Sequence, residues 1–190
     1  MKRILIVLTL LCLVTISPIK AENLNKSKAI FNIGFLLSEI ISYSYDLTYV
    51  KMCAAQIEIY KKLLSPGETE NLKLMINKSS GSTELNDSMM KVSDNFYQSL
   101  NETSRFDYLY GSIVSNMGVD LISNKITYDN RLKLMHDYLH SQNHPTKSNM
   151  NNILENLKSK NVNKDAVKKE INEIVNYHVK DNSNSKVVNK

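Results

Sequence analysis

The sequence predicts an all-α fold, a single antiparallel helical bundle of six to seven helices that follows a cleavable signal peptide. Of 190 residues only five are glycine and three proline, too few for the many corners of a β-sandwich, a barrel or a Rossmann unit. Apolar residues make up 42% of the chain and recur at three- and four-residue steps through one segment after another, the spacing of amphipathic helices. A charged fraction of 23% is that of an ordinary globular domain and excludes disordered and collagen-like chains. Residues 1–21 read as the signal peptide, 22–180 as one helical domain and 181–190 as a flexible polar tail.

The first element is the export signal. Lys2 and Arg3 precede an apolar run over residues 4–16, Ser17 and Pro18 close it, and Ala21 offers a small residue for cleavage. The run is shorter than the roughly 20 apolar residues of a spanning helix, so no stable membrane anchor is expected after cleavage. Cys12 lies within it as a hydrophobic filler. A secreted or periplasmic location follows from this reading.

The first mature helix, 25–44, carries Ile30, Ile33, Leu37, Ile40 and Ile41, with Phe31, Phe35 and Leu36 widening the apolar sector to that of a central, largely buried helix. The second, 46–64, puts Leu47, Val50, Ala54, Ile57 and Leu64 on one stripe flanked by Tyr49, Tyr60 and Leu63, and only Ser42 to Asp46 separates it from the first, so one continuous helix is the alternative. Ser65-Pro66-Gly67-Glu68 is a capping box with proline preset at the first helical position, starting a helix to about Asn77. Residues 78–83 read as an exposed loop. A helix over 84–101 aligns Leu85, Met89, Val92, Phe96 and Leu100. Ser104 and Asp107 form a capping pair for a helix to Ser123, with Phe106, Leu109, Tyr110, Ile113, Met117 and Leu121 inward. On that helix Gly111, Ser115 and Gly118 form a second ridge, where a neighbouring backbone can approach closely. Glycine inside a helix costs about 1 kcal/mol relative to alanine, so the ridge points to packing, within the chain or against a second subunit. Thr127 caps a helix over 128–141 with Leu132, Met135 and Leu139 inward, ended by His144-Pro145. A helix over 147–159 aligns Met150, Ile153, Leu154 and Leu157. Asn163 caps the last, 164–180, with Val167, Ile171, Ile174 and Val175 inward.

Charge and cysteine bound the chemistry. Removing Lys2, Arg3 and Lys20 from the 24 basic residues leaves 21 against 19 acidic ones. Residues 157–190 hold eight lysines and four acids, a solvated helix face with opposite charges a turn apart. Arg105 and Arg131 are the mature chain's only arginines, which argues against a nucleic-acid partner, since bidentate phosphate recognition uses arginine. Cys53 stands alone after cleavage, so no intrachain disulfide can form. It reads as a buried thiol within Met52-Cys53-Ala54-Ala55, with a disulfide to a second copy as the sharper alternative. Asparagine, at 23 positions, reads as coding bias without chemistry of its own, and four glycosylation sequons, at Asn25, Asn77, Asn86 and Asn101, follow from it.

Two constellations remain. His136 and His140 lie one helical turn apart, with Asp137 and His144 nearby, a pair able to chelate zinc if a further ligand such as His178, Asp107 or Glu102 folds close. Without one, histidines in a last turn simply favour the negative dipole end. Tyr43, Tyr45 and Tyr49 cluster at the first helix junction as an exposed aromatic patch suited to a partner. No nucleophile elbow, phosphate loop or Cys-x-x-Cys occurs. Protein–protein binding is therefore the expected function, as an inhibitor or immunity-like protein or as an accessory subunit of an envelope or secretion assembly. The partner is another protein, with a second copy of the chain as one case. Two alternatives stand beside it, a metal-dependent or carboxylate hydrolase using the His136/His140 face and a carrier of a small apolar ligand.

Overall fold

The computed structural model describes residues 25–74, 76 and 82–179. The signal segment 1–21, residues 78–81 of the expected loop and the tail 181–190 lie outside them. The described residues form eight helices and no strand. In chain order these are α1 (Lys26–Ser42), α2 (Leu47–Lys61), α3 (Pro66–Glu70), α4 (Ser82–Ser99), α5 (Glu102–Ile122), α6 (Asn130–Ser141), α7 (Lys147–Lys158) and α8 (Lys164–Val179). None is long and apolar enough to cross a membrane. The all-helical class is as expected, and the contacts divide the described chain at Ser115/Asn116 into two compact units.

In the first unit α1 is the central helix. Asn25 opens it, its side chain accepting the Lys28 N–H at 2.9 Å, and every residue from Lys28 to Ile40 is buried. The broad apolar sector read from the sequence demands neighbours on several sides, and α2 and α4 are among them. The continuous first pair does not form. The chain turns after α1, and Asp46 then caps α2 by accepting the Tyr49 N–H at 3.1 Å. The inward stripe of α2 is Tyr49, Val50, Cys53, Ile57 and Tyr60, rotated from the expected one so that the thiol and two phenol rings replace Leu47, Ala54 and Leu64.

The Ser65 capping box is present. Ser65 N–H donates to Glu68 Oε2 at 2.9 Å, and Lys26 pairs with the same carboxylate at 2.8 Å. The helix it opens stops at Glu70 rather than Asn77, because Asn71 Nδ2 takes the Gly67 carbonyl and the chain turns to bury Leu72 completely. Ser82 and Thr83, expected in a loop, form the first turn of α4. Asn101, not Ser104, caps α5, accepting the Ser104 N–H at 2.9 Å.

Two helices meet backbone to backbone at α1 and α5. A Cβ on Gly111 would collide with the Phe31 carbonyl and lie 2.8 Å from Phe35 N, and one on Gly34 would collide with the Tyr108 carbonyl and lie 3.0 Å from its carbon. Gly111 of the small-residue ridge therefore sits at an intramolecular crossing, with Gly34 as its unforeseen counterpart, while Gly118 takes no part in it. The crossing turns α5 partly from the expected face, on which Tyr110, Met117 and Leu121 are buried as expected. Ser104, Tyr108, Gly111 and Ser115 are buried together with Tyr110 and Val114, whereas Leu109 is exposed and Phe106 and Ile113 are half-buried.

The second unit contains the end of α5 and α6 to α8. Asp129, two residues beyond the expected Thr127, caps α6 by accepting the Leu132 N–H at 3.0 Å. Its inward residues Leu132, Met135 and Leu139, those of α7 (Met150, Ile153, Leu154, Leu157) and those of α8 (Val167, Ile171, Ile174, Val175) are the expected ones. Asn163 caps α8 through the Ala166 N–H at 3.1 Å.

Asparagine has a structural job that coding bias does not describe. Asn124 and Asn143 end α5 and α6 with φ of 59° and 50°, the left-handed region that asparagine tolerates better than most residues. Around each, the two amides that follow the helix return to its last carbonyls. Asn143 and His144 N–H donate to His140 and Leu139 O at 3.1 and 2.8 Å, and Asn124 and Lys125 N–H to Leu121 and Asp120 O at 3.3 and 2.8 Å, the Schellman pattern. With Asn25, Asn101 and Asn163 at helix starts, five asparagines set helix boundaries.

Candidate functional site

The turn between α1 and α2 brings together the three tyrosines and a residue that periodicity passed over, Glu39. Its carboxylate is buried and accepts the Tyr49 hydroxyl at 2.5 Å and the Ser115 hydroxyl at 2.7 Å. Beside it the Ser38 and Ser112 hydroxyls meet at 2.7 Å, so α1, α2 and α5 are joined by polar groups inside an apolar core. Hydrogen bonds to a charged group contribute about 1.5–3 kcal/mol each and offset part of the cost of burying it.

From this buried base an aromatic ladder leads outward. Tyr49 meets Tyr43 edge to face at 5.4 Å and 76°, and Tyr43 meets Tyr45 at 6.0 Å and 62°. Such pairs contribute about 0.5–1.5 kcal/mol beyond their buried area. Exposure rises along the ladder: Tyr49 is 7% exposed, Tyr43 half-buried and Tyr45 73% exposed. The expected exposed patch is thus one exposed ring on two supporting ones.

Burial pushes the Glu39 carboxyl above its usual range, while its two hydroxyl donors pull it back. Burial, then the Glu39 charge, pushes Tyr43 up to about 12 and Cys53 up to about 12. Cys53 is completely buried. A thiol held protonated and out of solvent lacks the thiolate that nucleophilic chemistry needs, and a disulfide to a second copy would require α2 to expose it. A signal for Glu39 was present: it is the one acid within the apolar stretch Phe35-Leu36-Leu37-Ser38-Glu39-Ile40-Ile41, with no lysine or arginine a turn away.

The histidines form two pairs. His136 and His140 are together, ring centres 4.3 Å apart. His136 Nδ1 lies 3.0 Å from Asp137 Oδ1, and its Nε2 is buried without a hydrogen-bond partner, an arrangement that costs about 1–3 kcal/mol if nothing meets the atom. His144 and His178 form the other pair, stacked at 5.7 Å and 13° with Tyr177 edge-on to both. His178 Nδ1 donates to the Ile174 carbonyl at 2.8 Å. The further ligand on which a zinc site depends does not join the first pair: no three His, Cys, Asp or Glu side chains converge on a metal position among the described residues.

No protein-family model, curated protein or solved structure matches this chain.

Proposed function

We propose that the chain is a protein-binding module acting outside the cytoplasm, as an inhibitor or immunity-like protein or as an accessory subunit of an envelope or secretion assembly, and that it meets its partner at the α1–α2 turn. The observation that carries this reading is Tyr45, 73% exposed at the end of a ladder footed on a buried carboxylate. An aromatic ring already held in place loses little freedom on binding, and tyrosine is enriched among the residues that dominate interface energies. The extracytoplasmic setting rests on the Lys2-Arg3 start and the apolar run after it.

The test is affinity capture from native extract with wild type and Tyr45→Ala in parallel. Wild type should retain a stoichiometric partner, and the variant should lose it by about 30-fold in affinity or more, the loss of a hot-spot residue, with its circular dichroism unchanged. Absence of a stoichiometric partner, or equal capture by both chains, would overturn the assignment. Mass spectrometry of the native protein should place its first residue after Ala21; an intact Met1 in a cytosolic fraction would remove the extracytoplasmic setting.

A further inference from the structure

We propose that His136 and His140 form a two-imidazole clip for a divalent transition-metal ion of the copper or zinc type, independent of the tyrosine ladder. The argument begins with a proton. Asp137 Oδ1 stands 3.0 Å from His136 Nδ1, and an ionised carboxylate only accepts, so Nδ1 carries the hydrogen and donates it. In the neutral ring the remaining nitrogen, Nε2, then presents a lone pair.

That lone pair is buried and no protein donor meets it. A histidine kept only to favour a helix dipole is positively charged, and its Nε2 would be an N–H needing an acceptor; the structure supplies none. The ring one turn on does offer a second donor atom. His140 is exposed at the end of α6, with its ring centre 4.3 Å from that of His136 and the planes tilted by 44°. Two imidazoles bound at about 2.0–2.1 Å in neighbouring positions of one ion have ring centres roughly 4.5–5 Å apart, so a small opening of the pair admits the ion.

The surroundings are those of a metal-ligating histidine. A carboxylate on the non-ligating nitrogen fixes the tautomer and raises the basicity of the other. Asp137 is itself oriented, its Oδ2 accepting Lys133 Nζ at 2.8 Å. With two protein ligands the remaining positions fall to water, and the affinity order for nitrogen donors puts Cu2+ above Zn2+.

The experiment titrates the full chain with Cu2+ alone and, separately, Zn2+ alone, using a competing chelator for affinity and the electron paramagnetic resonance spectrum of bound Cu2+ for ligand identity. Wild type should bind one Cu2+ with nitrogen coupling from two imidazoles, and Zn2+ more weakly at the same place. His140→Ala, at an exposed position that tolerates truncation, should lose about tenfold or more in affinity along with one imidazole coupling. Asp137→Asn should weaken binding by about 10- to 100-fold while keeping both couplings, the behaviour of a positioning residue. His144→Ala should leave affinity and spectrum as in wild type. Equal Cu2+ affinity in wild type and His140→Ala, a spectrum without two imidazole nitrogens, or loss of binding in His144→Ala would each overturn the proposal.

Discussion

In residues 25–115 the central helix hides thirteen consecutive residues, polar ones included, whereas in residues 116–179 helices α6, α7 and α8 each hide an apolar stripe and leave the opposite face to solvent. The first unit closes by bringing two backbones together at Gly34 and Gly111 and by enclosing Glu39. The second closes mainly by conventional side-chain packing, with His178 as a buried polar residue of α8 and other polar contacts outside the apolar stripes: Asn149 Nδ2 bridges Glu170 and Glu173 at 2.8 Å each, and Asn124, Asn143 and Asn163 set helix ends. Tight crossing leaves no tolerance for added volume, while striped helices tolerate change everywhere except along the stripe.

The largest expected effect sets two glycines of α5 against each other. Gly111→Ala should destabilise by about 3 kcal/mol in denaturant unfolding, the upper range for overpacking, because the obstacle is backbone. Gly118→Ala, with nothing within 4 Å of the added carbon, should stabilise by about 0.5–1 kcal/mol through helix propensity. Equal effects at the two sites would erase the contrast between the units.

A second test uses pH. Burial raises Asp107 from 3.8 to about 6 against its hydrogen bond with Ser27, so the folded state holds this proton more tightly than the unfolded one. Its contribution to stability is full below the unfolded value and is lost as pH rises through the folded one; Glu39 is displaced in the same direction. Asp129, at the α6 cap, is displaced downward: the Arg131 side chain and the Leu132 N–H outweigh its burial, and its contribution is lost as pH falls. Unfolding of Asp107→Asn followed across this range should show a flatter decline with rising pH than wild type. An unchanged slope would mean that Asp107 is not the source.

The smallest effect sharpens the account of the second unit. Asn143→Gly should stabilise by a few tenths of a kcal/mol and Asn143→Ala should destabilise by about 1 kcal/mol, since only glycine adopts the left-handed turn freely. Thermal unfolding of the two variants separates a conformational requirement from a side-chain one; matching melting temperatures would contradict it.

How far the sequence could be read follows the same division. Met150, Ile153, Leu154 and Leu157 were legible because α7 has water on one side, so the period of the helix is written in polarity. On helix α5 the inward Tyr110, Met117 and Leu121 were legible, whereas Phe106, Leu109 and Ile113 were misread, because both faces are apolar enough to be inward and what decides between them is Gly34, a residue on another helix that no periodicity within α5 can reveal. Helix starts were legible as regions and not as residues: Thr127 and Asp129, or Asn101 and Ser104, are competent caps close together, and tertiary packing selects one. The length of α3 was hidden because it ends where Leu72 must enter the core. The tyrosines were found by proximity, but that Tyr49 is a buried support depends on Glu39, a charge that pattern reading assigns to solvent. The histidine pair was fully visible as spacing, whereas its orphaned nitrogen and the Asp137 tautomer lock required coordinates.

The enclosure of α1 also sets an order of events during synthesis. Its Ser38 and Glu39 wait for Ser112 and Ser115, partners 74 and 76 positions further on, so a chain leaving the ribosome carries this side of the helix uncovered until α5 has emerged as far as Ser115, although α2 and α4 can already pack on its other sides. Long-range closure of that kind slows folding and keeps apolar surface open to other molecules meanwhile.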